Sequence, residues 1–212
     1  MIYLKIKRIL DIFLSLGALI VLLPIFTILA VSIKLDSEGP VFFKQKRVGK
    51  GKSHFYILKF RTMRIDTPRD TPTHLLKNPE QYITKMGRFL RKTSLDELPQ
   101  IWNIFVGHMS IIGPRPALWN QYDLIAERDK YGANDILPGL TGLAQINGRD
   151  ELPIEVKAEL DGIYVQKMGF IIDVKCFIAT ILKVLRYDGV VEGGTGRLGY
   201  GEAAASKEKA AK

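Results

Sequence analysis

Apolar and polar positions divide the chain into one long hydrophobic segment and a mixed remainder. From residue 9 to residue 33 the run ILDIFLSLGALIVLLPIFTILAVSI is interrupted by Asp11 near its start and by Pro24 near its middle. A helix of that length covers a hydrocarbon core of roughly 30 Å, which predicts membrane insertion. A cleaved signal peptide does not fit, because the run is too long and no small-residue cleavage site follows it. Lys5, Lys7 and Arg8 precede the run, and Lys34, Lys44, Lys46, Arg47, Lys50 and Lys52 follow it. Basic residues favour the cytoplasmic side, so two basic flanks suggest a segment that enters and leaves by one face, with Pro24 as the bend. A kinked single span is equally compatible, since membrane helices tolerate proline.

Beyond the run, PVFFKQKRVGKGKSHFYILKFRTM predicts two strands, 41–48 and 54–63, around a Gly-Lys-Gly-Lys turn. Residues 64–79, with three prolines and several threonines, predict a loop. Residues 81–92 predict a short amphipathic helix with Ile83, Met86, Phe89 and Leu90 on one side and Lys85, Arg88, Arg91 and Lys92 on the other. Residues 98–106 predict an apolar helix stopped by Gly107. Two Gly/Pro clusters, IIGPRPALW and ILPGLTGLAQINGRDELP, predict shaped loops, with a helix between them over 117–131. FIIDVKCFIATILKVLR, from residue 170, carries apolar residues at helical spacing together with Asp173, Lys175, Lys183 and Arg186, and predicts an interfacial or core-packed helix. The tail from residue 190 predicts disorder.

With 212 residues, 47% of them apolar, the chain is long enough for one domain with a core plus a membrane segment. The lone cysteine, Cys176, excludes an intrachain disulfide, and the three histidines show no zinc spacing with it. A reducing compartment fits. The net charge of +9 raises nucleic acid as a partner. Its placement argues otherwise: residues 1–64 hold twelve Lys or Arg against three acids, so the excess sits around the apolar segment, where anionic lipid would attract it.

Candidate chemistry centres on TSLDELPQ, which places the adjacent carboxylates of Asp96 and Glu97 just before Pro99. Ser94 and Glu97 form an S-x-x-E capping box, and acids in a first helical turn are stabilised by the helix dipole without any further role. Against that, Arg91 and Lys92 precede the pair and Arg115 follows between two prolines. Two acids among cations suit a divalent metal and a diphosphate. A glycosidase dyad does not fit, since its carboxylates must flank a bond from opposite sides, roughly 5–10 Å apart.

The N-terminal run, PVFFKQKRVG, FYILKFRTM, GRFLRKTSLDELPQIWNIFVGHMSIIGPRP and PGLTGLAQINGR occur here in one order. In this the chain resembles the bacterial sugar transferases of the small monotopic phosphoglycosyl transferase superfamily, over about residues 7–186. The resemblance implies an α+β, mainly helical fold. It would comprise a re-entrant N-terminal helix-break-helix (1–36), a catalytic domain (37–189) with a small β-hairpin and interfacial amphipathic helices around a cytosolic-face active site, and a tail (190–212). It implies transfer of a sugar 1-phosphate from a UDP-sugar to undecaprenyl phosphate at the bacterial inner membrane, with Mg²⁺ and release of UMP. Asp96 would be the nucleophile and a metal ligand, and Glu97 its assistant. Lys59, Arg91, Arg115 and Arg149 would bind phosphate or nucleotide, and membrane lipids, not nucleic acid, would be the surroundings. The family breaks its membrane helix at a proline commonly preceded by serine; here the pair is Leu23-Pro24, which lacks that hydroxyl. The sugar and homo-oligomer formation stay open.

Overall fold

The apolar segment forms a single helix, α1 (Ile2–Asp36), in a computed structural model that describes residues 2–67, 79–148 and 152–185. Helix runs on through Leu23-Pro24, the position at which the break was expected. Thr27 and Ser32 turn their hydroxyls back onto the carbonyls of Leu23 and Ile28, at 3.0 and 2.9 Å. Such bonds keep polar groups satisfied on a surface that is otherwise apolar. At about 1.5 Å per residue α1 would reach about 52 Å if straight. Its buried positions, Lys7, Asp11, Ser15, Leu29 and Ile33, share one stripe at helical spacing. The rest of its surface exposes Phe13, Leu14, Ile20, Val21 and Leu23.

Both halves of this stripe are attached to the same body. Near the N-terminus Tyr3 and Lys7 meet the carboxylate of Asp173, and Asp11 accepts the Ile111 N–H at 3.0 Å. Arg8 donates to the carbonyls of Ile104 and Phe105 at 2.7 and 2.8 Å. Near the C-terminus Asp36 accepts the Met86 N–H at 2.9 Å, and Arg61 binds the carbonyls of Ser37 and Glu38. Lys7 and Arg8, expected in a lipid-facing basic collar, are thus engaged within the protein; Lys7 is only 8% exposed. A cation paired in this way is not available to a headgroup.

The expected hairpin forms from β1 (Phe42–Val48) and β2 (His54–Phe60), the second strand ending before the expected residue 63, antiparallel with Phe42 opposite Phe60 and Val48 opposite His54. Its turn contains Gly51 at φ +62°, the left-handed region open to glycine. Phe55 and Ile57 pack with Ile104 and Met109. Next comes α2 (Lys85–Thr93), shorter than the expected 81–92 at its start, because Thr84 caps it by accepting the Gly87 N–H at 2.9 Å. Phe89, expected on the buried side, is exposed. The apolar helix α3 (Gln100–Val106) ends at Gly107, φ +94°, where the sequence places its stop. Buried Asn103 clips α3 to β2: its amide accepts from the Leu58 N–H at 2.9 Å and donates to the Tyr56 carbonyl at 2.8 Å.

The two Gly/Pro clusters are not wholly loop. They contain β3 (Ser110–Ile112) and β4 (Gly139–Thr141), a parallel pair with Ser110 opposite Gly139. Gly113 and Gly139 approach so closely that a Cβ on either would collide with backbone. Three-residue strands are too short to show alternation, which is why they read as loops. The helix expected over 117–131 is confined to α4 (Tyr122–Asp129), and α5 (Leu143–Ile146) and α6 (Ile154–Lys167) follow. Finally α7 (Phe170–Leu185) lays Ile172 and Cys176 on a core of Ile112, Leu143, Leu152, Leu160 and Tyr164, and exposes Phe170, Ile171, Phe177 and Ile178. The result is mainly helical with two small sheets. The tail from residue 190 lies outside the described residues.

Candidate active site

The catalytic candidates sit on one 3₁₀ turn, Leu95–Glu97, between α2 and α3. Ser94 closes α2 in the left-handed conformation (φ 57°, ψ 15°), its N–H bonded to the Arg91 carbonyl at 3.1 Å. The capping box read from S-x-x-E does not form: the Ser94 side chain caps nothing, and the Glu97 carboxylate is directed at two cations. Pro99 occupies the cap position of α3, where its missing N–H removes no intrahelical bond. Asp96 and Glu97 are therefore held on a tight turn between two helix ends, free of a capping duty.

Glu97 accepts from Lys59 at 2.8 Å and from the Arg115 fork at 2.7 and 3.3 Å. Asp96 lies 3.9 Å from the same Lys59 ammonium. Lys59 arrives from β2, fixed by the Asn103 clip. Arg115 arrives from the loop after β3, which is pinned by the Gly113 N–H on the Thr141 carbonyl, the Gly139 N–H on the Pro114 carbonyl, and Arg47 on the Pro116 carbonyl, at 2.8, 2.8 and 3.0 Å. Arg91, on the last turn of α2, donates its Nε–H to Thr62 at 2.8 Å. Arg149 lies outside the described residues, and Leu23 is on the exposed surface of α1.

The two carboxylates are driven apart in acidity. Burial pushes Asp96 up; Lys59 opposes this, the adjacent Glu97 charge adds to it, and Arg91 and Arg115 also oppose it, leaving a net rise. Burial acts on Glu97 in the same sense, but Arg115 and Lys59 outweigh it and hold its carboxyl well below the usual range. Glu97 is thus a fixed anion that organises two cations, and Asp96 is the less neutralised, more basic carboxylate beside them. Among the described residues no group of three or more His, Cys, Asp or Glu could hold a metal by itself. A hard cation such as Mg²⁺ needs no such cage, since it binds through one or two carboxylates plus substrate phosphates. With Glu97 engaged by Lys59 and Arg115, Asp96 is the protein ligand that fits.

A carboxylate ringed by cations can approach an anionic phosphorus without the repulsion it would meet in water. The profile described as "Bacterial sugar transferase" matches residues 2–187. The chain belongs to the bacterial sugar transferase family. This sugar transferase is 43% identical over 166 residues to the "Uncharacterized sugar transferase EpsL" of Bacillus subtilis, covering 78% of this chain and 79% of that one. It is 37% identical over 194 residues to the "Exopolysaccharide production protein PSS" of Rhizobium leguminosarum, covering 86% of this chain and 96% of the relative. It is 38% identical over 186 residues to the "UDP-glucose:undecaprenyl-phosphate glucose-1-phosphate transferase" of Xanthomonas campestris. There the match covers 84% of the sugar transferase and 38% of the longer relative.

Several residues that build the site escaped the sequence reading: Thr62, Asn103, and the α1 residues Arg8 and Asp36 that hold the far ends of α3 and α2. One signal for α1 was present. Tyr3, Lys7, Asp11 and Ser15 recur every fourth residue at the start of the apolar segment, and a polar stripe on such a helix marks the side that faces protein.

Proposed function

We propose that this protein is a UDP-sugar:undecaprenyl-phosphate sugar-1-phosphate transferase that works through a covalent phosphosugar-aspartate. The observation that carries the reading is the Asp96–Glu97 turn among Lys59, Arg91 and Arg115, with the basic carboxylate of Asp96 next to the neutralised Glu97. In the first step an Asp96 Oδ attacks the sugar-side phosphorus of the UDP-sugar. A P–O bond forms to Asp96, the bond to the bridging oxygen breaks, and UMP leaves with that electron pair. In the second step an oxygen of the lipid phosphate attacks the same phosphorus, forms the new diphosphate and returns Asp96 as a carboxylate. Two displacements replace one between two anionic substrates. Arg91, Lys59 and Arg115 supply positive charge to the equatorial oxygens, where charge gathers. Mg²⁺, held by Asp96 and the diphosphate, would neutralise the leaving group. The activities for which relatives are named point to undecaprenyl phosphate and a UDP-hexose.

The chemistry belongs at the cytoplasmic face of the inner membrane, with α1 inserted from that face. What supports insertion without crossing is that Lys7 and Arg8 at one end of α1 and Asp36 at the other bind one body. Cysteines placed before Lys5 and after Asp36 will both label from the cytoplasmic side; labelling from opposite sides would mean a span. For the activity, purified protein given Mg²⁺, undecaprenyl phosphate and a panel of UDP-sugars will release UMP with at least one of them. Asp96→Asn, still folded, will not. Normal turnover by that variant would remove Asp96 from the nucleophile role, and no UMP with any sugar would leave a basic membrane scaffold as the better reading.

A further inference from the structure

The cations of the site are held in different ways. Lys59 and Arg115 both donate to Glu97, and Arg91 donates its Nε–H to the Thr62 hydroxyl at 2.8 Å. Thr62 lies just beyond β2 and is 8% exposed. Its carbonyl also accepts the Thr84 N–H at 3.1 Å, at the cap of α2. Gly87, in the first turn of α2, faces that same carbonyl where any Cβ would collide with it. So α2 is seated on Thr62 twice, by backbone at its first turn and by side chain at its last.

The second contact has a consequence for phosphate binding. An unrestrained arginine gives up rotamer freedom when its fork is fixed on an anion. A guanidinium already anchored at Nε has lost part of that freedom on folding, and its charge acts on Asp96 in the free protein. We propose that Thr62 is a positioning residue, whose hydroxyl holds the Arg91 guanidinium ready for a phosphate group at the catalytic turn. The inference rests on reading the site as one for phosphate transfer. Its ligand chemistry is an anionic phosphate, from the diphosphate of a nucleotide sugar or from a phosphorylated lipid.

The test uses the full chain in detergent with fixed Mg²⁺, and reads binding of inorganic diphosphate and, separately, of farnesyl phosphate by calorimetry. Arg91→Met identifies which probe depends on Arg91. Thr62→Val, which keeps the backbone contact and branched shape, will weaken that same probe about threefold to tenfold, the size of one net hydrogen bond. Thr62→Ser will restore it, and Thr62→Val added to Arg91→Met will change nothing further. Wild-type binding by Thr62→Val, failure of Thr62→Ser to restore it, full additivity with Arg91→Met, or a loss confined to the melting temperature would each overturn the proposal, as would Arg91→Met binding both probes normally. Because binding is read without turnover, a protein that binds diphosphate as expected but releases no UMP sinks the transferase reading and leaves this one standing.

Discussion

Glu97→Gln separates organisation of the site from chemistry. At an effective dielectric constant of about 20, the Lys59 charge attracts Glu97 at 2.8 Å by about 6 kcal/mol gross and Asp96 at 3.9 Å by about 4 kcal/mol. The difference of about 2 kcal/mol keeps Lys59 on Glu97, and Arg115 follows it there through its fork. Glutamine keeps the shape and removes the charge. Lys59 then moves onto Asp96, which becomes a better-neutralised and weaker nucleophile, and Arg115 loses its charged hydrogen bonds to Glu97. A charged hydrogen bond is worth about 1.5 to 3 kcal/mol, so kcat falls about tenfold to hundredfold. The sign of the pH effect follows from the same charges. Glu97 raises the Asp96 proton affinity and Lys59 lowers it, so losing the one and gaining the other moves the acid limb of the rate to lower pH. The assay is steady-state UMP release across pH with Mg²⁺ saturating. An unchanged kcat with a raised KM would make Glu97 a substrate contact, and an acid limb displaced upward would refute the charge reasoning.

Removing metal with a chelator will stop UMP release and leave the melting temperature unmoved, with Mg²⁺ restoring turnover; a large melting shift would reveal a structural ion. Arg128 and Asp161 form a buried pair at 2.6 and 2.8 Å between α4 and α6, so Arg128→Ala strands a buried carboxylate and costs about 3 to 5 kcal/mol, read as a fall of about 10 °C in melting temperature. Gly87→Ala places a Cβ against the Thr62 carbonyl and displaces α2, costing about 1 to 3 kcal/mol and lowering UMP release more than stability, since Arg91 and Asp96 both move with that helix. Glu97, held well below its ordinary pKa of about 4.3, contributes stability that is present above that value and is lost as pH falls toward the lower folded value. Acid unfolding of Glu97→Gln will therefore lack this component, and identical acid transitions would contradict it.

What the sequence disclosed followed the length scale of its signals. The apolar segment, the hairpin with its Gly-Lys-Gly-Lys turn, the Gly107 stop and the last amphipathic helix all carry patterns of several residues, and all appear in the fold. The parallel pair β3–β4 did not disclose itself, because two three-residue strands lie inside glycine clusters whose close approach is a tertiary fact. At the site, Lys59, Asp96, Glu97 and Arg115 came from motifs and are brought together. The capping box was a local pattern defeated by a longer-range one: a carboxylate that can reach Lys59 and Arg115 gains more than it does from a helix N-terminus, and the Ser94 side chain caps nothing. Thr62 and Asn103 are ordinary polar residues whose meaning lies in what folds onto them.

The basic flank of α1 carries a spacing as well as a charge, and the spacing decides what α1 does. The turn that carries Asp96 and Glu97 is the link between α2 and α3, and α1 grips the far end of each: Asp36 on the first turn of α2, Arg8 on the last carbonyls of α3. Both grips obey helix electrostatics, an anion at an N-terminus and a cation at a C-terminus. A displacement of either end of α1 is therefore delivered to the turn that carries Asp96 through a helix of nine residues on one side and seven on the other. Helix α1 and the turn that carries Asp96 and Glu97 are mechanically one unit. Hence Asp36→Ala and Arg8→Ala should lower kcat together with thermal stability, whereas neutralising exposed Lys34 or Lys50 should touch only lipid affinity.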